Sequence, residues 1–129
     1  MVAGPRGPEF SQLRRGVLEY CVMAALRTGE RYGYELVSQL AEADGLLTSE
    51  GTIYPLLGRL RKDGVVATTW RESASGPPRR YYSLTPAGHA TLERFSGEWM
   101  RFRDAVDSIL DTRGEEWGTA RQRRSLRST

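Results

Sequence analysis

The chain has 129 residues and a net charge of +3, and its sequence pI is near 9.3. This length supports one domain with a modest core, and the mildly basic balance permits binding to nucleic acid without requiring it. A single cysteine, Cys21, excludes an intramolecular disulfide framework and a CxxC metal site. No stretch approaches the roughly 18 apolar residues of a membrane span, and the N-terminus lacks the regions of a signal peptide, so we expect a cytoplasmic protein.

The first part of the chain carries the patterns of two helices. Residues 1–10, with their glycines and prolines, are predicted to be a flexible N-terminus. Residues 11–28 are predicted to form a helix that is apolar over much of its circumference, which favours a central helix with Cys21 as a buried thiol. A second helix is predicted over residues 32–43, followed by a turn at residues 44–45.

A third helix is predicted to begin after Ser49, as its cap, and to end at Gly64. One face has the i, i+3, i+4, i+7 spacing of a buried stripe. That stripe consists of Ile53, Leu56, Leu57 and Leu60. The opposite face is small at its centre and is bordered by hydroxyls and a cation. Its centre is Gly51, Pro55, Gly58 and Lys62, and its edges are Thr52, Tyr54 and Arg59.

The composition of this second face is unusual, because a solvated helix face normally carries long charged side chains. Small residues let a helix approach another surface closely. A hydroxyl, a phenol and a guanidinium at the edges can then form hydrogen bonds to that surface. The pattern predicts a helix that lies in the major groove of DNA, which is wide enough to admit it. The alternative is an ordinary amphipathic helix with a poor solvent face.

After Gly64 the hydrophobic period becomes that of a strand. Residues 65–72 and 79–84 are predicted to be two strands joined by a polar turn at residues 73–78. A hairpin that follows three short helices is typical of the wing of a winged helix-turn-helix. Arg79 and Arg80 are predicted to project from this wing, and the alternative is that they are solvated strand ends. Residues 50–81 carry six cationic and three anionic side chains, an excess equal to the net charge of the whole chain.

A long helix is predicted over residues 86–112, with Thr85 as its cap and Pro86 at its first position. Apolar residues with heptad spacing form a seam along it. The seam consists of Leu92, Phe95, Trp99, Phe102, Val106 and Ile109. One domain cannot easily bury such a seam, so we interpret it as a dimerisation surface. The alternative is packing against the first helix of the same chain, and both arrangements can coexist. Residues 113–129 are predicted to be a basic, disordered tail.

With these elements in place, the chain resembles the PadR family of bacterial transcriptional regulators. The matching segments are Tyr32-Gly-Tyr-Glu-Leu36, Gly51-Thr-Ile-Tyr-Pro-Leu-Leu57 with Arg59-Leu60 and Asp63-Gly64, and Arg80-Tyr-Tyr-Ser-Leu-Thr-Pro-Ala-Gly88. The third-helix segment followed by the wing segment is specific, whereas each alone is weak. The resemblance extends over about residues 13–110, and the single long C-terminal helix looks like that of the small subfamily.

The resemblance implies a mainly α fold with a β-hairpin, namely a winged helix-turn-helix over residues 11–85 followed by a dimerisation helix over residues 86–112. It also implies a homodimeric repressor that binds double-stranded DNA at an inverted-repeat operator. The implied DNA-binding residues lie on the second and third helices and on the wing. They are Tyr34, Ser49, Thr52, Tyr54, Arg59, Lys62, Arg79 and Arg80.

Some members of that family bind small molecules near the dimer interface, so the resemblance implies an aromatic, drug-like or nucleotide effector. Trp99 falls on the helix where multidrug-responsive members present a tryptophan to such ligands, and Phe95 and Phe102 lie a turn away from it. The identity of the effector does not carry over, because it varies within the family. The alternative is that these aromatic residues are dimer core and that the repressor has no small-molecule effector.

Two other classes of function compete with a DNA-binding regulator. The first is an enzyme, but the sole histidine, His89, has no metal-binding partner nearby in sequence, and no nucleophile elbow or phosphate loop occurs. We therefore predict neither catalysis nor a metal or cofactor. The second is a winged helix used only for contacts with proteins, which steeply salt-dependent binding to duplex DNA would distinguish from a regulator.

Overall fold

The computed structural model describes residues 7–43 and 50–111. In chain order the elements are α1 (Pro8–Ala25), β1 (Arg31–Tyr32), α2 (Gly33–Glu42), α3 (Glu50–Lys62), β2 (Val66–Ser73), β3 (Gly76–Leu84) and α4 (Pro86–Leu110). This arrangement confirms the predicted mainly helical fold with a hairpin directly after the third helix. Within the described ranges, no helix has the length and apolarity needed to cross a membrane. The predicted turn at residues 44–45, the Ser49 cap and the basic tail lie outside the described residues.

Helix α1 begins at Pro8 and not at Ser11, so the predicted start of this helix is wrong. A proline at the first helical position lacks only an N–H that has no partner within the helix, and its fixed φ suits the helix. Glu9 in the first turn adds a negative charge where the helix dipole favours one. The helix also ends earlier than predicted, at Ala25, where the N–H of Leu26 turns back to the carbonyl of Met23 at 3.0 Å.

Strand β1 has only two residues and was not predicted from the sequence. Arg31 pairs with Tyr82 and Tyr32 pairs with Tyr81, so β1 forms one edge of a three-stranded antiparallel sheet in the order β1-β3-β2. Tyr32 is extended rather than helical, and its N–H donates to the Glu35 carboxylate at 3.0 Å. Helix α2 therefore begins at Gly33, one residue later than predicted.

Helix α3 buries the predicted stripe. Ile53, Leu57 and Leu60 are buried and Leu56 is half-buried. Gly64 ends the helix with a φ of 79°, a left-handed conformation that glycine adopts without a Cβ penalty. The prediction that Gly64 stops α3 is confirmed, and the chain passes directly from it into β2.

The turn of the wing is shorter than predicted. Only Ala74 and Ser75 form it, whereas residues 76–78 belong to β3. Arg71 pairs with Arg79 and Ser73 pairs with Gly76, so the two prolines of β3 lie in an irregular stretch between these pairs. A proline cannot donate to a strand ladder, but it costs no ladder bond at such an irregularity. The Pro-Pro pair thus predicts a loop locally although the strand continues through it.

The core lies between α1, α2, α3 and the base of the sheet. Its buried apolar residues are Leu18, Val22, Met23, Ala25, Leu26, Leu36, Leu40, Ile53, Leu57, Leu60, Val66, Tyr82 and Leu92. Cys21 is half-buried against this core rather than fully buried, and burial raises the pKa of its thiol. The thiol is therefore kept in its protonated, unreactive form at neutral pH.

The start of α4 is joined to the base of the wing. The Thr85 hydroxyl donates to the Gly64 carbonyl at 2.8 Å and accepts the N–H of Gly88 at 3.0 Å, as predicted for a capping threonine. Gly88 is buried, and a Cβ at this position would lie 2.7 Å from Cδ1 of Leu84 and even closer to the carbonyl oxygen of Val65. A side chain larger than hydrogen therefore does not fit there.

The chain divides into two compact units, Met1–Glu93 and Arg94–Thr129. The first contains the helical core, the sheet and the start of α4. The described part of the second consists of the remainder of α4 and Asp111.

Candidate nucleic-acid interface

The polar face of α3 is exposed as the sequence predicts. Its small centre, defined above as Gly51, Pro55, Gly58 and Lys62, is exposed along its whole length. Thr52 and Arg59 border this centre on one side, and Tyr54 borders it on the other. We call these seven residues the reading face. The face combines small residues near its middle with hydrogen-bonding groups at both edges.

The Tyr54 edge of the reading face lies against the start of α2. A Cβ at Gly33 would lie 2.6 Å from Cε1 and Cζ of Tyr54, so the absence of a side chain at Gly33 makes room for this ring. Tyr34, the next residue, is exposed, and its ring stacks on that of Tyr32 at a centroid distance of 6.5 Å. The predicted site residues Tyr34 and Tyr54 are thus on neighbouring elements. The sequence analysis assigned no role to Gly33, although it stands inside the Tyr32-Gly-Tyr34 motif.

The Arg59 edge of the reading face lies toward α1. The Arg59 guanidinium forms an ion pair with the Glu19 carboxylate of α1, with Nη2 and Oε2 2.8 Å apart. The side chains of Arg59 and Glu19 are 58% and 29% exposed, so the guanidinium remains reachable from solvent while the carboxylate is more enclosed. No local sequence pattern indicates the role of Glu19, because 40 residues separate the two partners.

A groove of about 350 Å³ lies between α1 and α3 on this side of the reading face. We call it the α1–α3 groove. It is lined by Ser11, Arg14, Arg15, Leu18, Glu19, Thr52, Pro55, Leu56 and Arg59. The groove therefore combines an apolar floor with charged and hydroxyl side chains.

The wing arginines lie on aromatic rings, on opposite faces of β3. The Arg79 guanidinium is 4.5 Å from the centroid of the Tyr32 ring, and that of Arg80 is 5.0 Å from the centroid of Trp70. Cation–π contacts of this kind contribute about 0.5–1 kcal/mol at exposed sites. Among the described residues, the buried Nε of Arg80 has no hydrogen-bond partner. Both guanidinium groups thus contact an aromatic ring, with Arg79 exposed to solvent and Arg80 half-buried.

A third wing cation belongs to the same face of the sheet as Arg79. Arg71 pairs across the strands with Arg79, forms an ion pair with Glu30 and lies over the Tyr81 ring at 5.4 Å. Arg71 and Arg79 are thus exposed cations on one face of the wing, whereas Arg80 is half-buried on the other face. Exposed cations of this kind suit a polyanion.

The seam of α4 is divided by burial. Leu92 is 5% exposed and belongs to the core of its own chain, and its part in a dimerisation surface stays a prediction. Beyond Arg94, Phe95 is half-buried, while Phe102 is 60% and Ile109 is 77% exposed. Trp99 is also exposed, and its ring lies 6.1 Å from that of Phe95 and 6.2 Å from that of Phe102. We call the seam from Phe95 to Ile109 the aromatic face of α4.

Three helices around one core, with a hairpin after the third, define a winged helix-turn-helix protein. The matched segment, residues 22–94, is more than half of the chain, and the family it matches is described as the transcriptional regulator PadR-like family. The chain therefore belongs to the PadR family of transcriptional regulators.

Solved structures agree with this assignment. The chain is 38% identical to a PadR-like transcriptional regulator from Bacillus cereus, with a TM-score of 0.71 over 78% of this chain and 97% of that one. It is 36% identical to a PadR family transcriptional regulator from Eggerthella lenta, with a TM-score of 0.71 over 79% of this chain and 88% of that one. It is also 30% identical over 100 residues to the negative transcriptional regulator PadR of Bacillus subtilis, covering 74% of this chain and 52% of that protein.

Proposed function

We propose that the protein is a homodimeric, sequence-specific DNA-binding repressor that acts in the cytoplasm. The observation that carries this proposal is the reading face of α3, which is exposed, has small residues near its middle and has hydrogen-bonding groups at both edges. The exposed wing cations Arg71 and Arg79 supply charges that suit the phosphate backbone. The similarity to the negative transcriptional regulator PadR of Bacillus subtilis supports repression rather than activation.

On DNA, we place α3 in the major groove, where a helix about 10–12 Å across fits a groove about 12 Å wide. Thr52, Tyr54 and Arg59 then face base edges, and Lys62 faces a backbone phosphate. Tyr34, Arg79 and Arg80 take the flanking phosphates in this arrangement, and Ser49 is assigned to a phosphate on the family resemblance alone. A dimer places its two α3 helices about 34 Å apart, which matches half-sites one turn apart on an inverted repeat.

Arg59 and Arg80 are expected to contribute differently to operator binding. An arginine that reads a guanine discriminates against other bases by about 1–3 kcal/mol, whereas a phosphate contact strengthens binding to all sequences alike. Arg59→Ala should therefore reduce the ratio of operator to random-duplex affinity by about 5- to 150-fold. Arg80→Ala should weaken binding to both duplexes alike and lower the salt slope by about one unit. Fluorescence anisotropy over a salt series, on an operator found by footprinting the DNA that flanks the gene, measures both effects.

The salt series also separates the competing functions. A wild-type protein with no salt-dependent affinity for duplex DNA would favour a winged helix that contacts only proteins. A specificity ratio that survives Arg59→Ala would make Arg59 a backbone anchor. Replacing exposed Arg27 by alanine is the matched control, because Arg27 lies in the turn after α1 and outside the proposed interface.

We further propose that an aromatic, drug-like or nucleotide effector relieves repression by binding beside Trp99. Support comes from the adjacent rings of Phe95, Trp99 and Phe102, of which the first two are stacked and the last is tilted, because such rings offer wide apolar contact and prefer offset stacking. The ligand must bind two dimer geometries with different affinity in order to act. Helix α4 is continuous from the wing base to Trp99, which provides a physical connection between an effector and the DNA-binding unit.

An effector with a typical coupling energy of 1–3 kcal/mol should weaken operator binding about 5- to 150-fold, and operator DNA should weaken effector binding by the same factor. Tryptophan fluorescence measures this in a variant in which Trp70 and Trp117 are replaced, so that only Trp99 emits. Aromatic acids, drugs and cyclic nucleotides are titrated with and without operator. Ligand-induced quenching that persists when Trp99→Leu is made in otherwise wild-type protein, which keeps Trp70 and Trp117, would place the pocket elsewhere. If no compound releases DNA, the aromatic face is dimer core and the repressor works without an effector.

A further inference from the structure

The α1–α3 groove brings three guanidinium groups together with a single carboxylate. Two of them belong to Arg14 and Arg15 of α1, and the third belongs to Arg59 of the reading face. We infer that this groove holds backbone phosphates of the bound duplex and that Arg14 and Arg15 contact them. The inference rests on the proposed DNA-binding function and extends the interface to α1, which contributes none of the DNA contacts proposed above.

The position of the groove follows from residues that it shares with the reading face. Thr52, Pro55 and Arg59 line the groove and also belong to that face. When α3 fills a major groove about 12 Å wide, the two phosphate backbones that bound this groove run along the two edges of the helix. One edge is that of Tyr54 and α2, and the other is that of Arg59 and α1. A duplex on the reading face therefore passes one backbone over the mouth of the α1–α3 groove.

The charges on the Arg59 edge make α1 necessary for this contact. Glu19 already pairs with Arg59 at 2.8 Å, and the carboxylate offsets the charge that α3 presents on this side. The other two arginines that line the groove, Arg14 and Arg15, belong to α1, and Arg15 is exposed. Guanidinium groups match phosphate geometry with two parallel N–H donors, which makes arginine better suited than lysine to this contact. Ser11 adds a neutral hydroxyl donor at the same wall.

The groove lies on a different side of α1 from its exposed apolar surface. Leu13 is exposed, and Arg15 lies two residues further along α1. At about 100° per residue, the two side chains are therefore about 160° apart around the helix axis, measured the shorter way. A second protomer that covers Leu13 therefore approaches α1 from the side opposite to the groove. Phosphate binding by Arg14 and Arg15 is thus compatible with the proposed dimer.

The test compares Arg14→Ala and Arg15→Ala with the control Arg27→Ala, using the full chain, operator duplex and random duplex over a salt series. Each groove variant should weaken binding to both duplexes by the same factor and lower the salt slope by about one unit. Arg27→Ala should match the wild type. Because Arg14 is half-buried, Arg14→Lys and Arg15→Lys are included. The lysine variants keep the positive charge, so their salt slopes should be close to that of the wild type. If either guanidinium had a purely structural role, its lysine variant would not be expected to recover the salt slope lost in the alanine variant.

Three results would overturn the inference. One is a wild-type affinity and salt slope in both alanine variants, which leaves the proposed function intact because the wild type still binds DNA. Another is a loss confined to the operator, since a backbone contact acts on every sequence. The third is a wild-type protein that binds neither duplex, and this result alone would also remove the proposed function. Circular dichroism melting of each variant confirms that the compared proteins are folded.

Discussion

Replacing Gly88 by alanine should lower the free energy of unfolding by about 3 kcal/mol, which is the upper end of the usual cost of overpacking a core. The added methyl would lie far inside the contact distance of the Val65 carbonyl oxygen and 2.7 Å from Cδ1 of Leu84. The Val65 carbonyl accepts the N–H of Thr85 at 3.1 Å, so it cannot move away without loosening the joint between wing and α4. Because a domain has only about 5–15 kcal/mol of stability, this loss is large.

Gly97 provides a matched control on the same helix. No atom of the residues that the structure describes lies within 4 Å of a Cβ built at Gly97. Gly97→Ala should therefore raise the stability by about 0.5–1 kcal/mol, because glycine loses more conformational entropy in a helix than alanine does. Urea unfolding followed by circular dichroism measures both changes, at one protein concentration because oligomers unfold in a concentration-dependent way. Equal midpoints for the two variants would contradict the close approach of α4 to Val65.

Several elements could be predicted because their causes lie within a few residues of chain. The stripe of Ile53, Leu57 and Leu60 has a helical period, and Gly64 permits the positive φ that stops α3. Thr85 and Pro86 carry the chemistry of a helix start, and α4 begins where they predict. In each case the side chain itself supplies the hydrogen bond, the backbone freedom or the apolar face that forms the element.

Apart from the bounds of α1, which have local causes, the differences from prediction depend on partners that are remote in sequence. Strand β1 exists because Tyr81 and Tyr82 of β3 pair with it, and two residues are too few to show a strand period. The Pro-Pro segment is strand because β2 lies beside it. The apparent heptad seam includes Leu92, but the core of the chain already buries this residue. A spacing pattern shows that a face is apolar and does not show which surface covers it.

Only part of the candidate site could be predicted from sequence. The spacing of residues indicates the reading face, because all its residues lie on one helix. It cannot find Glu19 beside Arg59 or Gly33 beside Tyr54, since these contacts join different helices. It also gives no sign that Arg79 and Arg80 lie on the rings of Tyr32 and Trp70. Tertiary contacts of this kind decide how firmly a predicted contact residue is held.

Introducing charge on the aromatic face of α4 should convert the proposed dimer into monomers. Phe102 and Ile109 are 60% and 77% exposed, and a large exposed apolar patch is typical of a surface that another protein covers. In the double variant Phe102→Glu and Ile109→Glu, each dimer would bury four carboxylates against apolar surface, which is costly without partners. The monomer should remain folded, because substitutions at exposed positions usually change stability by less than about 0.5 kcal/mol. Sedimentation equilibrium and circular dichroism distinguish these two effects.

Loss of the dimer should also weaken operator binding, by about 100- to 10,000-fold, because linked binding to two half-sites gains this much from effective concentration. Binding to a single half-site should change little. Met100→Glu is the matched control, since Met100 is a large apolar residue that is 55% exposed but lies outside the heptad positions of the seam. It should sediment and bind like the wild type. A wild-type monomer at micromolar concentration would contradict the dimer, and a dimer that survives the double variant would mean that another surface holds the two chains together.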